Sequence, residues 1–166
     1  MKKSIKTEII INASKEKVWQ VLTAFENYPS WNPFIVNIDG QLKTSARLLN
    51  TLASGKKKFV FKPKVISIVP NQYFDWLGKL FIGGVFDGHH YFKIEELSSN
   101  QVKFIQGENF SGILSSYILK KIGEETRNNF IRMNNALKEK AEALPDAGKA
   151  SADDSPTFAI TSSNKE

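Results

Sequence analysis

Six strand-like segments follow one another between residues 34 and 110, and only a few residues separate each from the next. They cover about residues 34–39, 42–51, 56–68, 72–79, 85–96 and 101–110. Two parallel neighbours need a crossover connection of roughly a dozen residues or more, usually a helix, and these connections leave no room for one. The sequence therefore predicts a sheet in which neighbouring strands run antiparallel.

A strand and a helix are predicted ahead of this series. Residues 4–11 (SIKTEIII) favour a further strand, which brings the number of strands to seven, and Ser14 is placed to cap the helix that follows. Pro29 and Pro33 then limit any second helix to a single turn. The apolar residues of the first helix recur at helical spacing: Val18, Trp19, Leu22 and Phe25.

The last predicted element is a long amphipathic helix over about residues 113–143, with a break at Gly123 left open. Its apolar stripe consists of Ile118, Ile122, Phe130, Met133, Leu137 and Ala141. A single curved antiparallel sheet wrapped around this helix is an α+β fold. Because aromatic residues are many and small residues few, we expect a cavity between sheet and helix, with a solid aromatic core as the alternative.

Composition excludes several classes of site. The 166 residues include no cysteine, which rules out thiolate catalysis, disulfides and cysteine-ligated metals. The only two histidines, His89 and His90, are adjacent, so on a strand they point to opposite faces and cannot share one metal ion. The sequence contains no glycine-rich phosphate loop, and we expect neither a metal nor a cofactor.

The formal net charge of +6 raises nucleic acid or an anionic membrane as partners. The densest basic run is three lysines at residues 56–58, and Lys62 and Lys64 follow it. Together with Phe59 and Phe61 these lysines form the pattern of a half-buried strand with one solvated face, which we favour over a dedicated polyanion site. No base-stacking motif accompanies them, so no nucleic-acid partner is predicted.

The sequence also bears on location and domain organisation. No apolar run approaches the roughly 20 residues that a membrane-spanning helix needs. Lys6 and Glu8 interrupt what would be the apolar core of a signal peptide, so we expect a cytoplasmic protein without an integral membrane segment. From residue 145 the chain is rich in Ala, Ser, Asp and Pro. The expected organisation is one domain over residues 1–144 and a flexible polar tail over 145–166.

Two stretches resemble a known superfamily. The segment IINASKEKVWQVLTAFENYPSWNPFI is similar to the N-terminal signature of the SRPBCC, or START-like helix-grip, superfamily. The residues that carry this similarity are Ile11, Ala13, Val18, Trp19, Leu22, Phe25, Tyr28, Pro29, Trp31, Asn32 and Pro33. The segments GGVFDGHHYFKIEEL and VKFIQGENFSGIL resemble later strands of the polyketide cyclase/dehydrase-like branch, although Val102 stands where that branch has a threonine. Their matching residues are His90, Phe92, Ile94, Phe104, Glu108, Phe110 and Gly112.

The resemblance covers about residues 3–143. It implies a helix-grip fold, in which a seven-stranded curved antiparallel sheet grips the long C-terminal helix and an apolar pocket opens between them. Members of the superfamily range from lipid and hormone carriers to aromatase/cyclases and chaperone co-activators, so the fold assigns no single chemistry.

Strand alternation predicts one polar pair inside this pocket. The even-numbered residues of 85–96 and 101–110 form the inward faces, and a three-residue loop at 98–100 sets His90 opposite Glu108. The pair could orient the polar end of a ligand or move protons, which makes these two residues the candidates for catalysis. A pair that merely satisfies its own polar atoms stays open. Asp75 and Asp87 fall on the outward face and receive no role.

The candidate ligand-binding residues are this pair and the apolar residues that the fold would place around the gap. Plain core packing is the alternative for each apolar one. They are Trp31, Phe34, Trp76, Phe86, His90, Phe92, Phe104, Glu108, Phe110, Phe130, Met133 and Leu137.

The sequence therefore predicts a binding protein with an internal cavity for a small hydrophobic molecule such as a lipid, a polyketide or an aromatic metabolite. One alternative is a polyketide cyclase/dehydratase-like enzyme, so catalysis stays open. Another is a partner-protein module, either of the chaperone co-activator type or of the type that accompanies carbon monoxide dehydrogenase. Transient contact with a protein or a membrane surface also stays open.

Overall fold

The computed structural model describes residues 3–80 and 83–145, so the predicted tail, apart from Pro145, lies outside the described residues. The chain begins with β1 (Ser4–Ile11) and α1 (Lys15–Thr23), and a short 3₁₀ turn leads to α2 (Tyr28–Trp31), a single turn as predicted. α3 (Ser115–Glu142) ends the described fold. Between α2 and α3, this part of the chain has β2 (Ile35–Asp39), β3 (Leu49–Ser54), β4 (Lys57–Phe61), β5 (Lys64–Val69), β6 (Tyr73–Leu80), β7 (Phe86–Ser98) and β8 (Gln101–Ser111).

All neighbouring strands are antiparallel, as predicted, but the sheet count differs. The described residues form eight strands in two sheets, with orders β1-β8-β7-β6-β5 and β2-β3-β4, so the predicted single seven-stranded sheet is wrong. The difference arises at Pro63, where the predicted strand 56–68 divides into β4 and β5. Proline has no N–H to donate to a strand neighbour, which makes it a natural boundary.

Two local predictions are also corrected in this region. The strand expected from residue 42 begins only at Leu49, because Ser45 has a positive φ of 69° and residues 45–48 instead bond to the start of β5. The predicted half-buried strand at residues 56–61 is exposed on both faces. Phe59 and Val60, which point in opposite directions, are 52% and 62% exposed, because β4 is an edge strand of the smaller sheet.

Local signals fix the two longer helices. The Ser14 side chain accepts a hydrogen bond from the Lys17 backbone N–H at the start of α1, which is the predicted cap. α3 runs through Gly123 without a break and packs mainly on β1, with further contacts to α1 and β8. Its buried side chains lie mostly in the C-terminal half: Ser115, Asn129, Phe130, Met133, Asn134, Leu137 and Ala141.

Within residues 3–80 and 83–145, no helix has both the length and the apolar character that crossing a membrane requires.

Candidate functional site

The hairpin of β7 and β8 places His90 directly opposite Glu108, as predicted. The connection between the two strands differs from the expected three-residue loop, although the register is the same. The chain turns within residues 99–100, and a bulge between Glu96 and Ser98 accommodates the extra residue. A bulge of this kind sets two residues against one and so preserves the inward alignment farther along the hairpin. The same register sets Phe92 opposite Gln106 and Ile94 opposite Phe104.

The His90 ring lies between two polar side chains. Its Nδ1 is 3.5 Å from Glu108 Oε2, and its Nε2 is 3.2 Å from Gln106 Nε2. With the Gln106 amide in this orientation, Nε2 of the imidazole accepts a hydrogen bond, so the ring proton sits on Nδ1 and faces the carboxylate. The His90 side chain is only 5% exposed, whereas the Glu108 side chain is 21% exposed. Glu108 therefore connects the buried imidazole to solvent.

Two glycines form a shallow floor next to this pair. Gly78 on β6 and Gly88 on β7 are direct neighbours on the inward face. A methyl group on Gly88 would collide with the Glu108 carboxylate, and one on Gly78 would lie 3.3 Å from Cε2 of Phe61. The absence of side chains on the glycines gives the Phe61 ring and the Glu108 carboxylate room to lie here. We call Gly78 and Gly88 the glycine floor.

Phe61, which lies over Gly78, belongs to a group of three segments that hydrogen bonds connect and that we call the open end: residues 54–62, 83–85 and 112–125. Ser54 donates a hydrogen bond to the Glu125 side chain, which joins the β3–β4 hairpin to α3. The backbone N–H groups of Ile113 and Leu114 donate to the carbonyls of Gly84 and Val85. Ile118 and Ile122 lie on the same side of α3 as Glu125, and Ile122 is 40% exposed. Apolar surface of α3 is therefore accessible to solvent at this end.

Beyond the glycine floor, aromatic side chains occupy the interior where the sequence predicted a cavity. The His90 ring centroid lies 5.4 Å from that of Trp76, 4.6 Å from that of Phe92 and 5.0 Å from that of Phe130. The Phe92 ring stacks at 6.2 Å on Phe104. The predicted gap between sheet and helix is thus filled by side chains of the chain itself, because these rings are large enough to meet across it.

Most predicted lining residues do lie in this interior. Phe86 and Phe110 stack at 5.4 Å beside the floor. Trp31 is an exception, because it is only partly buried and packs on Tyr28 at 4.9 Å near the α2–β2 turn. The buried members of the set are Phe34, Trp76, Phe86, His90, Phe92, Phe104, Phe110, Phe130, Met133 and Leu137. The assignment of the whole set to ligand binding remains a prediction.

The interior also contains polar side chains that were not among the candidate residues. Gln106 and Asn134 are 0% and 2% exposed, and the Oε1 of Gln106 and the Oδ1 of Asn134 have no hydrogen-bond partner. Asn134 Nδ2 donates to Thr7 Oγ1 at 2.9 Å, and that hydroxyl donates to the Gln106 backbone carbonyl at 3.4 Å. Two sequence patterns could have identified these residues. Gln106 lies on the inward face of its strand, and Asn134 follows Phe130 at helical spacing.

Among the residues that the structure describes, we note two surface clefts, and neither includes a predicted lining residue. One, of about 210 Å³, lies between the start of β1 and α3 and includes Ile5, Leu119 and Gly123. The other, of about 360 Å³, lies beside α1 and includes Ser14, Gln20 and Pro145. The first cleft borders the candidate site, because Ile5 lies directly opposite Glu108 in the pairing of β1 with β8.

Asp75 lies on the outward face, as predicted, yet it is only 4% exposed. Its carboxylate accepts hydrogen bonds from the Ser67 backbone N–H at 2.7 Å and the Tyr73 hydroxyl at 2.8 Å, and it lies 2.6 Å from His89 Nε2. Desolvation, followed by the hydrogen bond to Asp75, raises the pKa of Tyr73 well above its usual value. Several contacts therefore hold this carboxylate, which ties β5, β6 and β7 together.

Known folds resemble this architecture at low sequence identity. An aromatase/cyclase from Streptomyces sp. R1128 superposes with a TM-score of 0.69 at 10% identity, covering 84% of this chain and 93% of that one. A START superfamily protein from Mycobacterium smegmatis gives a TM-score of 0.64 at 20% identity, covering 84% and 97%. A hypothetical protein from Helicobacter pylori gives 0.70 at 17% identity, covering 83% and 87%. At these identities the likeness establishes the fold.

A comparison with curated protein sequences finds no match. A family model described as "Polyketide cyclase / dehydrase and lipid transport" matches residues 2–107, which is more than half of the chain. This match includes β1 to β7 and the part of β8 that carries Gln106. The chain therefore belongs to the polyketide cyclase/dehydrase and lipid transport family.

Proposed function

We propose that this protein binds a small apolar ligand, such as a lipid, a polyketide or another aromatic metabolite, at the glycine floor, once Phe61 and Glu108 rotate away from it. The apolar part of the ligand lies over the glycine floor, and its polar end points to His90 and Glu108. The observation that carries the proposal is that a partly exposed carboxylate and a buried imidazole meet beside the glycine floor, next to the stacked rings of Phe86 and Phe110.

The glycine floor is the proposed position of the bound ligand. Phe61 and Glu108 cover Gly78 and Gly88, and both side chains are reached from the open end. Rotation of these two side chains away from the floor frees space without separating the strands. Apolar burial supplies roughly 25 cal/mol for each Å² removed from water, and Phe86 and Phe110 border the same space. Ligand entry thus requires two side-chain rotations and leaves the packing around Phe92 intact.

The buried amides favour a ligand with a hydroxyl or another hydrogen-bond donor at its polar end. Oε1 of Gln106 and Oδ1 of Asn134 are acceptors without a partner, and leaving a buried acceptor unpaired costs about 1–3 kcal/mol. A donor that reaches Gln106 would recover part of this cost. The Gln106 amide also holds His90, so the ligand's polar end and the imidazole would share one hydrogen-bonded group.

A titration with 1-anilinonaphthalene-8-sulfonate, an apolar aromatic probe, tests the binding site. We expect saturable 1:1 binding to the wild-type protein. Phe61→Ala uncovers Gly78 and should tighten binding, whereas Gly78→Leu fills the floor and should weaken it about tenfold or more. Native mass spectrometry of protein purified from its own host then searches for the natural ligand as a co-purifying molecule.

The matched control is Val60→Ala, which removes an exposed apolar group from the other face of β4 and should leave the affinity unchanged. Circular dichroism must show that each variant is folded. Equal probe affinity in the wild type, Phe61→Ala and Gly78→Leu would contradict the proposed location. No binding by any folded variant would contradict the ligand-binding function itself.

The second candidate function is a cyclase/dehydratase-like reaction, which the approach of His90 Nδ1 to the Glu108 carboxylate favours. In that case the carboxylate takes a proton from the bound substrate or returns one to it. Glu108→Gln keeps the size of the side chain and removes the base. With the molecule identified by mass spectrometry, an enzyme loses turnover in this variant by about 10²-fold or more, whereas a carrier loses only affinity.

A further inference from the structure

The open end gathers exposed apolar side chains that the ligand site does not use. Ile113 is 84% exposed, Tyr117 59% and Leu114 44%, all at the start of α3. Phe59 and Val60, on the edge strand β4, are exposed on opposite faces of the same hairpin. Six of the ten large apolar side chains that are exposed in the described residues belong to this end, and Ile122 is the sixth. A cluster of exposed apolar side chains is typical of a surface that binds a protein, a membrane or a ligand.

Positive charge surrounds these apolar groups. The three segments of the open end contain six lysines and two glutamates. Lys56, Lys57, Lys58 and Lys62 belong to the hairpin and have no acidic partner within residues 3–80 and 83–145. Lys121 lies 4.7 Å above the Tyr117 ring, and Glu125 is engaged by Ser54. Lysine ammonium groups that are neither paired nor buried are free to meet an external anion.

The exposure of both faces of the β3–β4 hairpin favours a lipid surface over a groove on a partner protein. Because Phe59 and Val60 point in opposite directions, no single flat partner surface covers both, whereas the interface of a bilayer surrounds an inserted strand edge on both sides. The lysines next to them in sequence would then lie at the level of the headgroups. Basic residues next to inserted apolar ones are the combination that anionic membranes attract.

We infer that the open end docks on an anionic lipid surface, with Phe59, Val60 and the start of α3 entering the interface and the lysines of the hairpin contacting the headgroups. The entrance to the glycine floor then faces the membrane. Docking does not require a bound ligand, so it stands or fails independently of the proposed ligand site.

Vesicle flotation with the ligand-free full chain tests this inference. We expect binding to phosphatidylcholine vesicles that contain about 30 mol % phosphatidylglycerol, weaker binding as salt is added, and little binding to phosphatidylcholine alone. Each neutralised lysine should lower the partition coefficient about fivefold, so the triple variant Lys56→Gln/Lys57→Gln/Lys58→Gln should lose about a hundredfold. Phe59→Ser/Val60→Ser should also weaken binding while leaving the net charge unchanged.

The matched control is Lys15→Gln/Lys103→Gln/Lys140→Gln, which removes the same net charge from the opposite end of the molecule. It should keep binding within about fivefold of the wild type. Equal losses in the two triple variants would overturn the inference, because charge alone would then explain binding. So would unchanged binding in Phe59→Ser/Val60→Ser, which would show that these side chains do not enter the interface, or failure of the wild type to bind the anionic vesicles.

Discussion

The two halves of α3 pack differently against the rest of the protein. From Asn129 to Ala141 every turn of the helix buries at least one residue, six in all. From Ser115 to Thr126 only Ser115 is buried, and Ile122 remains 40% exposed. We call the interior around Phe92, Phe130 and Met133 the packed end. The packed end is thus stabilised by core contacts, whereas apolar side chains of the open end are exposed to solvent.

This difference in packing implies that the packed end determines stability and that the open end provides the surface for binding. At the packed end, each large side chain touches several others, so a change there is costly and the geometry is fixed. At the open end, the same kinds of residue face solvent and are available to a ligand or a surface. His90 and Glu108 lie where the two ends meet, with the imidazole in the packed interior and the carboxylate reaching towards water.

The largest expected effect comes from removing an aromatic ring at the packed end. Phe92 is fully buried and its ring contacts Phe74 at 4.7 Å and His90 at 4.6 Å. Phe92→Ala should therefore lower the free energy of unfolding by roughly 3–5 kcal/mol, because it leaves a cavity that the neighbours cannot fill. Phe59→Ala, the same change at the open end, should cost no more than about 0.5 kcal/mol. Urea denaturation measures the free energy of unfolding of both variants. Similar losses in the two variants would contradict the difference in packing between the two ends.

The register of β7 and β8 was predictable because a strand has a strict period of two. Alternation restricts each inward side chain to an inward partner, and the assumed three-residue loop then selected His90 opposite Glu108. The loop itself was wrong by one residue, and a bulge between Glu96 and Ser98 restored the same register. The long helix was predictable for a similar reason, from the recurrence of its apolar stripe.

Other features depend on neighbours that are remote in sequence. The exposure of Phe59 and Val60 on opposite faces of β4 depends on the position of β4 at the edge of its sheet, which the sequence pattern of that strand does not reveal. Burial of Asp75 on the outward face depends on Ser67 and Tyr73 closing around it. Whether Trp76, Phe92 and Phe130 enclose a cavity or fill it depends on how far each ring reaches, and periodicity says nothing about that.

An intermediate effect should appear at alkaline pH. Tyr28 is completely buried, which raises its pKa well above the usual value of about 10, and its hydroxyl donates to the Leu22 carbonyl at 2.6 Å. Above pH 10 the unfolded chain releases this proton and the folded chain keeps it, so stability falls as pH rises, by about 1.4 kcal/mol per pH unit for this group. Tyr28→Phe should cost about 1 kcal/mol at neutral pH through the lost hydrogen bond, and this deficit should shrink above pH 10.

Urea denaturation at a series of pH values from neutral to strongly alkaline measures the two slopes. Tyr117→Phe, at the open end, is the control and should follow the wild-type curve, because water reaches that hydroxyl in the folded and the unfolded chain. A constant difference between wild type and Tyr28→Phe at all pH values would show that the packed end admits water to Tyr28.

The smallest effect is expected in the open half of α3 itself. An alanine methyl at Gly123 would meet no atom within 4 Å, so Gly123→Ala removes backbone freedom from the unfolded chain without a clash. It should raise the free energy of unfolding by about 0.5–1 kcal/mol, and the reverse change in the packed half, Ala136→Gly, should lower it by at least as much. A loss of stability in Gly123→Ala would mean that α3 must bend or shift at this glycine in the folded protein. The open half of the helix would then be a moving part of the entrance, and the contrast between the ends would be one of mobility as well as of packing.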